Sequence, residues 1–402
     1  MSEQDRFEYD VLVVGGAGHV GFPLAVAFAS RGLRTCIYDL NVNALEAIAG
    51  GTAPFLEPGL QPLLAQALES GTLIVSADAA SISAAEHLVV VVGTPVDEHL
   101  SPHPEAVPLA VRELKQHLRP GQLLVLRSTV YPGVTRRIEQ LLNGDAELVD
   151  IAFCPERIAE GKAMSELFEL PQIVSGRTEV AVQRATSLFG KLTPSIVVLS
   201  PEEAELAKLF TNAWRYIKFA AANQFFMMAN DQGLDFERIR SALSYDYPRA
   251  ADMPGPGFAA GPCLFKDTMQ LAAVSGNTFT LGQSAMLVNE GLPGYLVSRL
   301  EKTYDLGSMT VGILGMAFKG ESDDTRSSLA YKLKRLLSFR TLEVLTTDPF
   351  VTTDDTLVPM EDVLARADLL LIAAPHGQYR SLGECGVPIV DVWNIIGEGV
   401  RV

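Results

Sequence analysis

Short apolar runs alternate with helical stretches over the first 200 residues. Val11–Val14, Thr35–Tyr38, Leu88–Val92, Leu123–Leu126, Leu148–Phe153 and Ile196–Leu199 are β-branched and apolar on both faces. Such runs, spaced by helices, predict a parallel sheet covered on both sides. The texture changes at Ser200-Pro201-Glu202-Glu203, a capping box with proline at the first helical position. Nothing breaks the helical pattern before Gly233, so one helix of about 30 residues is expected. Strand-like runs return at Val311–Leu314, Glu343–Leu345, Leu369–Ala373 and Ile389–Val392, with helical segments near Ser327–Ser338 and Met360–Arg366. The chain therefore reads as α/β, then all-α, then α/β, with divisions at residues 1–199, 200–300 and 301–402.

Composition narrows the function more than the fold. Lys plus Arg is 32 against 48 Asp plus Glu, a formal net charge of −16. That balance argues against nucleic acid as a partner, which calls for a basic surface. An anionic ligand has to be held by local lysines, arginines or helix N-termini. No run reaches the roughly 18 apolar residues of a membrane span, and Ser2-Glu3-Gln4-Asp5-Arg6 opens no secretory signal. The four cysteines, Cys36, Cys154, Cys263 and Cys385, are scattered, with neither disulfide nor metal-ligand spacing. A reducing cytoplasm and no metal are the expectations.

Asp10-Val11-Leu12-Val13-Val14-Gly15-Gly16-Ala17-Gly18-His19-Val20-Gly21 carries a strand straight into G-x-G-x-x-G. Gly16 is read as the tight turn, Gly18 as the place where a pyrophosphate approaches the backbone, and Gly21 as the close helix contact. The pyrophosphate then meets the free N–H groups of the next helix. A second strand ends in Ile37-Tyr38-Asp39, where a carboxylate accepts from both ribose hydroxyls and repels a 2′-phosphate, so NAD is favoured over NADP. Val91-Val92-Gly93-Thr94-Pro95 and Arg127-Ser128-Thr129-Val130 each follow an apolar strand, at the carboxyl edge where doubly wound sheets bind ligands.

Gly255-Pro256-Gly257-Phe258-Ala259-Ala260-Gly261-Pro262-Cys263-Leu264-Phe265-Lys266-Asp267 is the most informative stretch. A glycine-rich loop delivers Cys263 near a helix start with Lys266 three residues on, and both features favour a thiolate. On the long helix, Lys208, Asn212 and Arg215 fall within an arc of about 60°. The opposing stripe of Leu206, Leu209, Phe210, Ala213 and Ile217 is expected to face the core. Cys154-Pro155-Glu156-Arg157 through Glu160-Gly161-Lys162 supplies carboxylates at the same sheet edge.

With these motifs in hand, the chain resembles the UDP-glucose/GDP-mannose dehydrogenase family from about residue 9 to its C-terminus. Pro155-Glu156, Ala204-Glu205-Leu206-Ala207-Lys208 with Asn212, Cys263 with Lys266-Asp267, Gly315-Met316-Ala317-Phe318-Lys319 and Asp323-Asp324-Thr325-Arg326 carry the likeness beside the glycine fingerprint. The resemblance implies two Rossmann-like, doubly wound parallel-sheet domains joined by a long central helix and a small all-α region, assembled as a homodimer. It implies an NAD-dependent nucleotide-sugar 6-dehydrogenase that oxidises a primary alcohol to a carboxylate in two hydride transfers. Cys263 would be the nucleophile; Lys208, Asn212, Thr129 and Asp267 would stabilise the oxyanion and position water; Glu160 would be the base in thioester hydrolysis. Glu156, Arg157, Lys208, Asn212, Phe318, Lys319 and the Arg249–Gly261 loop with Phe258 would hold the nucleotide-sugar, Arg249 reaching toward a neighbouring subunit. His19, Val20, Thr94, Pro95, Thr129, Lys266 and Arg326 would approach NAD.

Ala260 and Pro262 stand where the family commonly has glycine and a polar residue, Glu105 stands after Pro104 where aspartate is usual, and the C-terminal domain is short. Cys154-Pro155-Glu156-Arg157 and Asn212-Ala213-Trp214-Arg215 resemble the branch acting on N-acetylhexosamines, whereas Cys263-Leu264-Phe265-Lys266-Asp267 resembles the UDP-glucose branch. Two other readings stay open: a single-step 3-hydroxyacid-type dehydrogenase with no role for Cys263, and a regulator that binds NAD or a nucleotide-sugar without turnover.

Overall fold

The computed structural model describes residues 7–94, 103–142, 149–400 and 402. The chain divides into two compact units, Met1–Phe210 and Thr211–Val402. Strands β1 (Tyr9–Val14), β2 (Thr35–Tyr38), β3 (Leu73–Ser76), β4 (Ala85–Val90), β5 (Gln122–Leu126), β6 (Val149–Phe153), β7 (Gln172–Gly176) and β8 (Ile196–Leu199) form one sheet in the order β3-β2-β1-β4-β5-β6-β7-β8. Alternation along each strand sends Val11, Val13, Ile37, Val89 and Val125 to one buried face and Leu12, Val14, Cys36, Leu88 and Leu124 to the other. Helices α1 (Gly21–Ser30), α2 (Val42–Ala49), α3 (Leu60–Glu69), α4 (Ala106–Leu114), α5 (Val134–Leu142), α6 (Ala163–Glu169) and α7 (Glu179–Phe189) punctuate the strands. Buried residues of α1, α3, α6 and α7 pack into the first face and those of α4 and α5 into the second.

The sheet is not wholly parallel, which corrects the expectation: β6 and β7 pair antiparallel through Ala152↔Gly176 and Phe153↔Ser175. The physical consequence is local. An antiparallel return needs no crossover, so residues 154–171 stay at the carboxyl edge of β6.

The capping box behaves as read: Ser200 N–H and Oγ both donate to Glu203 Oε2, at 2.8 and 2.7 Å. Helix α8 then runs from Pro201 to Asp231, 31 residues. In the second unit, α9 (Phe236–Ser244), α10 (Leu264–Val274) and α11 (Thr280–Thr303) precede a four-stranded parallel sheet. Its strands β9 (Thr310–Leu314), β10 (Glu343–Thr347), β11 (Leu369–Ile372) and β12 (Ile389–Asp391) lie in the order β10-β9-β11-β12, with α12 (Leu329–Ser338) and α13 (Met360–Arg366) between them. One core joins the helical and sheet parts: Phe226 of α8 and Leu292, Leu296 and Leu300 of α11 pack with Val311, Ile313, Leu333 and Leu371. Among the described residues, no helix is long and apolar enough to cross a membrane.

Candidate active site

In the first unit the glycine turn differs in detail from the sequence reading. The left-handed residue is Gly15, at φ +73°, where a Cβ would stand 2.2 Å from the Val91 carbonyl oxygen. Gly16 has no positive φ; it is needed because a Cβ there would meet the Val13 carbonyl oxygen at 2.7 Å. The tight turn thus belongs to the residue before the fingerprint. Gly21 makes the close contact expected of it. A Cβ on Gly18 meets nothing closer than 3.8 Å, leaving backbone open to a ligand, whereas one on Gly21 would lie 2.5 Å from the Gly15 oxygen.

Asp39 follows β2 and braces this turn: its Oδ2 accepts from Ala17 N–H at 3.0 Å and its Oδ1 from Asn41 N–H at 2.9 Å. A cleft of about 540 Å³ opens beside it, lined by Gly15, Gly18, Tyr38, Asp39, Val92 and Gly93 among others. Open backbone at Gly18 and a carboxylate beside this cleft suit the pyrophosphate and ribose of a dinucleotide.

The return from β6 is built from carboxylates that accept backbone N–H groups. Arg127, fully buried, donates to both Glu156 and Gln172 and, at 3.0 Å, to the Cys154 carbonyl. The other oxygen of Glu156 accepts from Arg157 N–H at 2.7 Å and Ile158 N–H at 3.0 Å. Glu57 accepts from Gly161 N–H at 2.8 Å and Ala163 N–H at 2.9 Å, and Glu166 from Ala159 N–H at 2.6 Å. Glu160 is thereby presented on a rigid turn, its Oε1 3.8 Å from His19 Nδ1, while the His19 ring stacks on Phe55 at 4.0 Å. Both oxygens of Glu156 are taken up by this framework. The Arg157 guanidinium, whose pKa burial pushes down, donates to the Pro171 carbonyl. Thr94 is buried, and the loop before it is tied down where Val92 N–H donates to Ser128 Oγ at 2.8 Å; Thr129, next along, is half-buried.

Along α8, Glu205 caps α5 by accepting from Gly133 and Thr135 N–H at 2.7 and 2.8 Å. Lys208 and Asn212 are buried one turn apart, but Arg215 is exposed. The expected apolar stripe is also corrected: Leu209 and Ala213 are buried, yet Phe210 is 52% exposed. On the buried face, the side chains of Glu205 and Asn212 have hydrogen-bond partners that offset the cost of their burial.

In the second unit, Asn212 Nδ2 donates to Asp267 Oδ2 at 2.5 Å, and Lys266 Nζ lies 3.2 Å from Asp267 Oδ1. Asp267 is fully buried, whereas Cys263, the residue immediately before α10, is exposed. The other cysteines differ in kind. Burial pushes the thiols of Cys36 and Cys154 up to about 12, and Cys385 is half-buried.

The loop leading to Cys263 is held by a buried amide pair. Asn223 Oδ1 accepts from Gly257 N–H at 2.8 Å, and its Nδ2 donates to the Gly257 oxygen at 3.0 Å and to Asn289 Oδ1 at 2.9 Å. Asn289 Nδ2 in turn donates to the Tyr216 carbonyl at 3.1 Å. At Gly261, φ is +97° and a Cβ would lie 2.5 Å from Phe318 Cδ2, so this position tolerates only glycine. A cavity of about 460 Å³ adjoins it, lined by Ala260, Gly261, Phe265, Ser327, Ser328 and Lys332 among others.

The expected site residues thus divide between the units. Gly16, Gly18, His19, Val20, Gly21, Asp39, Thr94, Thr129, Glu156, Arg157, Glu160 and Lys208 belong to the first, and Pro95 lies outside the described residues. Asn212, Arg249, Phe258, Gly261, Cys263, Lys266, Asp267, Phe318, Lys319 and Arg326 belong to the second. Phe258 is 3% exposed and part of the core, so only its backbone can meet a ligand. Arg249 stands on the surface over Tyr247, its Nε donating to the phenol oxygen at 2.8 Å. Arg326 pairs with Asp324, Nε to Oδ1 at 2.9 Å. Glu57 and Asn289 escaped the sequence reading; a charged or amide residue beside apolar neighbours is the signal that could have flagged them.

Three family models match the chain in order. They are the NAD binding domain over residues 10–193, the central domain over 202–291 and the UDP binding domain over 312–398 of the UDP-glucose/GDP-mannose dehydrogenase family. A UDP-N-acetyl-D-mannosamine dehydrogenase of Pyrococcus horikoshii is 31% identical over 404 residues, covering 97% of this chain and 93% of its own. The solved structure of UDP-D-ManNAc dehydrogenase from Pyrococcus horikoshii is similar at a TM-score of 0.89 and 29% identity, over 97% of this chain and 96% of that one. A UDP-glucose dehydrogenase from the hyperthermophilic archaeon Pyrobaculum islandicum is similar at 0.88 and 29%, over 96% and 94%. With models matched in order from residue 10 to residue 398 and a relative of this identity along nearly the whole length, the chain belongs to the UDP-glucose/GDP-mannose dehydrogenase family.

Proposed function

We propose that this NAD-dependent nucleotide-sugar dehydrogenase oxidises the C6 alcohol of a UDP-N-acetylhexosamine, UDP-N-acetylmannosamine foremost, to the uronic acid, with Cys263 as the covalent nucleophile. The observation that carries the reading is the exposed Cys263 thiol at the start of α10, in the same unit as the buried Asn212–Asp267–Lys266 cluster. NAD, which the Gly15–Gly21 turn and Asp39 would hold, would supply the acceptor for a hydride from the sugar carbon in each of two oxidations. After the first, the Cys263 thiolate adds to the C6 aldehyde, giving a thiohemiacetal that stays on the protein. Loss of the second hydride leaves a thioester. Water then displaces the thiolate, with Glu160 taking the water proton, so that acid and free Cys263 are regenerated. Lys208 and Asn212 are the donors for the oxyanion, and Asp267 fixes the Asn212 amide. Glu156 is assigned here to bracing the Glu160 turn, since its oxygens already accept from Arg127, Arg157 and Ile158.

The choice of sugar is supported by the Cys154-Pro155-Glu156-Arg157 motif and by the name of the Pyrococcus horikoshii relative. Fold similarity does not separate the sugars, because a UDP-glucose dehydrogenase is matched almost as well. Homodimer assembly is part of the same reading. Trp214, Phe225 and Met228 are 57%, 48% and 56% exposed and lie on one face of α8, and Leu287 of α11 is 69% exposed. Four free thiols suit a reducing, cytoplasmic setting. A panel of UDP-N-acetylmannosamine, UDP-N-acetylglucosamine, UDP-glucose and GDP-mannose, followed by NADH absorbance, tests the reading. UDP-N-acetylmannosamine should give the highest kcat/KM; no NADH from any of the four would refute it.

A further inference from the structure

The C-terminal sheet holds a buried ionisable pair that the chemistry above does not use. Asp348 follows β10 and His376 follows β11, and both side chains are 0% exposed. Asp348 Oδ2 accepts from Met316 N–H at 2.6 Å, Ala317 N–H at 2.9 Å and His376 Nε2 at 3.1 Å. Its Oδ1 accepts from Phe350 and Val351 N–H at 2.9 and 3.1 Å. Burial alone would raise the Asp348 pKa, but the His376 hydrogen bond and these N–H donors hold it below the ordinary carboxylate range. The other imidazole nitrogen, Nδ1, accepts from Glu321 N–H at 3.0 Å. An accepting Nδ1 carries no proton, so the network assigns the neutral tautomer with Nε2–H donating to Asp348.

This pair grips one short segment at both ends. Met316 and Ala317 hang on Asp348, and Glu321 on His376. Glu321 sits at φ +55° with its Oε1 accepting from Gly377 N–H at 2.6 Å. A Cβ on Gly320 would lie 2.4 Å from the Pro375 oxygen, so the segment lies flat on the strand end that carries His376. Between the grips are Phe318, packed against Gly261 two residues before Cys263, and Lys319. The imidazole itself is wedged between Phe350 and Tyr379, at centroid distances of 5.1 and 5.5 Å. Asp39 performs the same bracing for the first unit's glycine turn, but it is only half-buried and can still meet a ribose. Asp348 is closed off from any ligand.

We propose that His376 is a positioning residue for nucleotide-sugar binding: through Asp348 and the Glu321 backbone it sets Phe318 and Lys319 against the loop that carries Cys263. The inference rests on reading residues 312–398 as the UDP-binding domain. It is tested with UDP alone as the calorimetric probe, so no turnover is needed, together with KM and kcat for the nucleotide-sugar. His376→Phe removes both hydrogen bonds. It should weaken UDP about tenfold, the loss that one buried N–H left without an acceptor can produce, and raise KM in proportion while kcat and NAD affinity hold. His376→Asn can present Oδ1 where Nδ1 stood and keep Glu321, whereas His376→Gln can keep only the donor to Asp348. The asparagine variant should therefore bind UDP several-fold more tightly than the glutamine variant, and this comparison decides the matter if the phenylalanine variant does not fold. Equal UDP affinity across wild type, Asn and Gln variants, with only the melting temperature lowered, would overturn the proposal. A wild type that binds UDP but oxidises no nucleotide-sugar would instead refute the proposed reaction and leave this inference standing.

Discussion

Asn223→Ala is the sharpest perturbation of the loop that presents the thiol. The side chain is fully buried and makes three hydrogen bonds, to Gly257 N–H, the Gly257 oxygen and Asn289 Oδ1. At about 0.5–1.5 kcal/mol net for each bond, the loss comes to about 3 kcal/mol. Asn223→Asp should be worse than alanine despite its nearly identical shape. It keeps the acceptor for Gly257 N–H but turns a carboxylate oxygen toward two other oxygens, and it buries a charge. Urea unfolding of the three proteins gives the stability order. Alkylation of Cys263 by iodoacetamide, located by mass spectrometry, reports the loop: both variants should expose the thiol to more varied surroundings and change its rate relative to wild type. The reasoning is refuted if Asn223→Asp is as stable as wild type, or if both variants leave stability within about 0.5 kcal/mol, the range of an ordinary surface substitution.

Asp39→Asn keeps the acceptor for Ala17 N–H but removes the charge, so the turn should survive while the preference for NAD over NADP narrows; the ratio of the two kcat/KM values measures it, and an unchanged ratio contradicts the placement of Asp39 on the ribose. Glu202 supplies a pH dependence. Its carboxyl is held at about 2, below the ordinary 4.5, chiefly by the Arg177 hydrogen bond. A lowered folded pKa gives stabilisation that is complete above about 4.5 and is lost as pH falls through about 2. The pair is more than a third exposed, so the effect stays below about 1 kcal/mol. The melting-temperature gap between wild type and Glu202→Gln should therefore be present at pH 7 and close between pH 4.5 and pH 2; a gap that persists at pH 2 contradicts the assignment.

Where a residue's burden is local, the chain announced it. The capping box at Ser200 and the uninterrupted pattern to Gly233 marked α8, and strand, glycine turn and Asp39 marked the dinucleotide half. Strands β3 and β7 went unseen because their apolar runs are shorter than the four-residue ones that were read: Leu73-Ile74-Val75 in β3, and only Ile173-Val174, between Gln172 and Ser175, in β7. The antiparallel β6–β7 pairing is decided by how residues 154–171 fold back, and nothing in strand composition encodes direction. Gly15 was passed over for Gly16 because the steric reason for it, the Val91 oxygen, lies 76 positions away. Asn223 and Asn289 meet across 66 residues, so each alone looks like an ordinary polar residue on a helix. The outward turn of Phe210 was hidden for a related reason: an apolar side chain on the surface of a helix reads in the sequence the same as one in its core.

The covalent role of Cys263 is tested most directly by the stoichiometry and product of the reaction. Wild-type protein with limiting nucleotide-sugar should form two NADH per sugar and release the acid. Cys263→Ser keeps the shape, but a serine hydroxyl, unlike a thiol, stays protonated near neutral pH, so it should block net acid formation and leave at most a slowly hydrolysed ester, seen by mass spectrometry as an adduct at position 263. Acid formed at the wild-type rate by Cys263→Ala would contradict the covalent mechanism, and one NADH per sugar from the wild type would point instead to a single-step dehydrogenase.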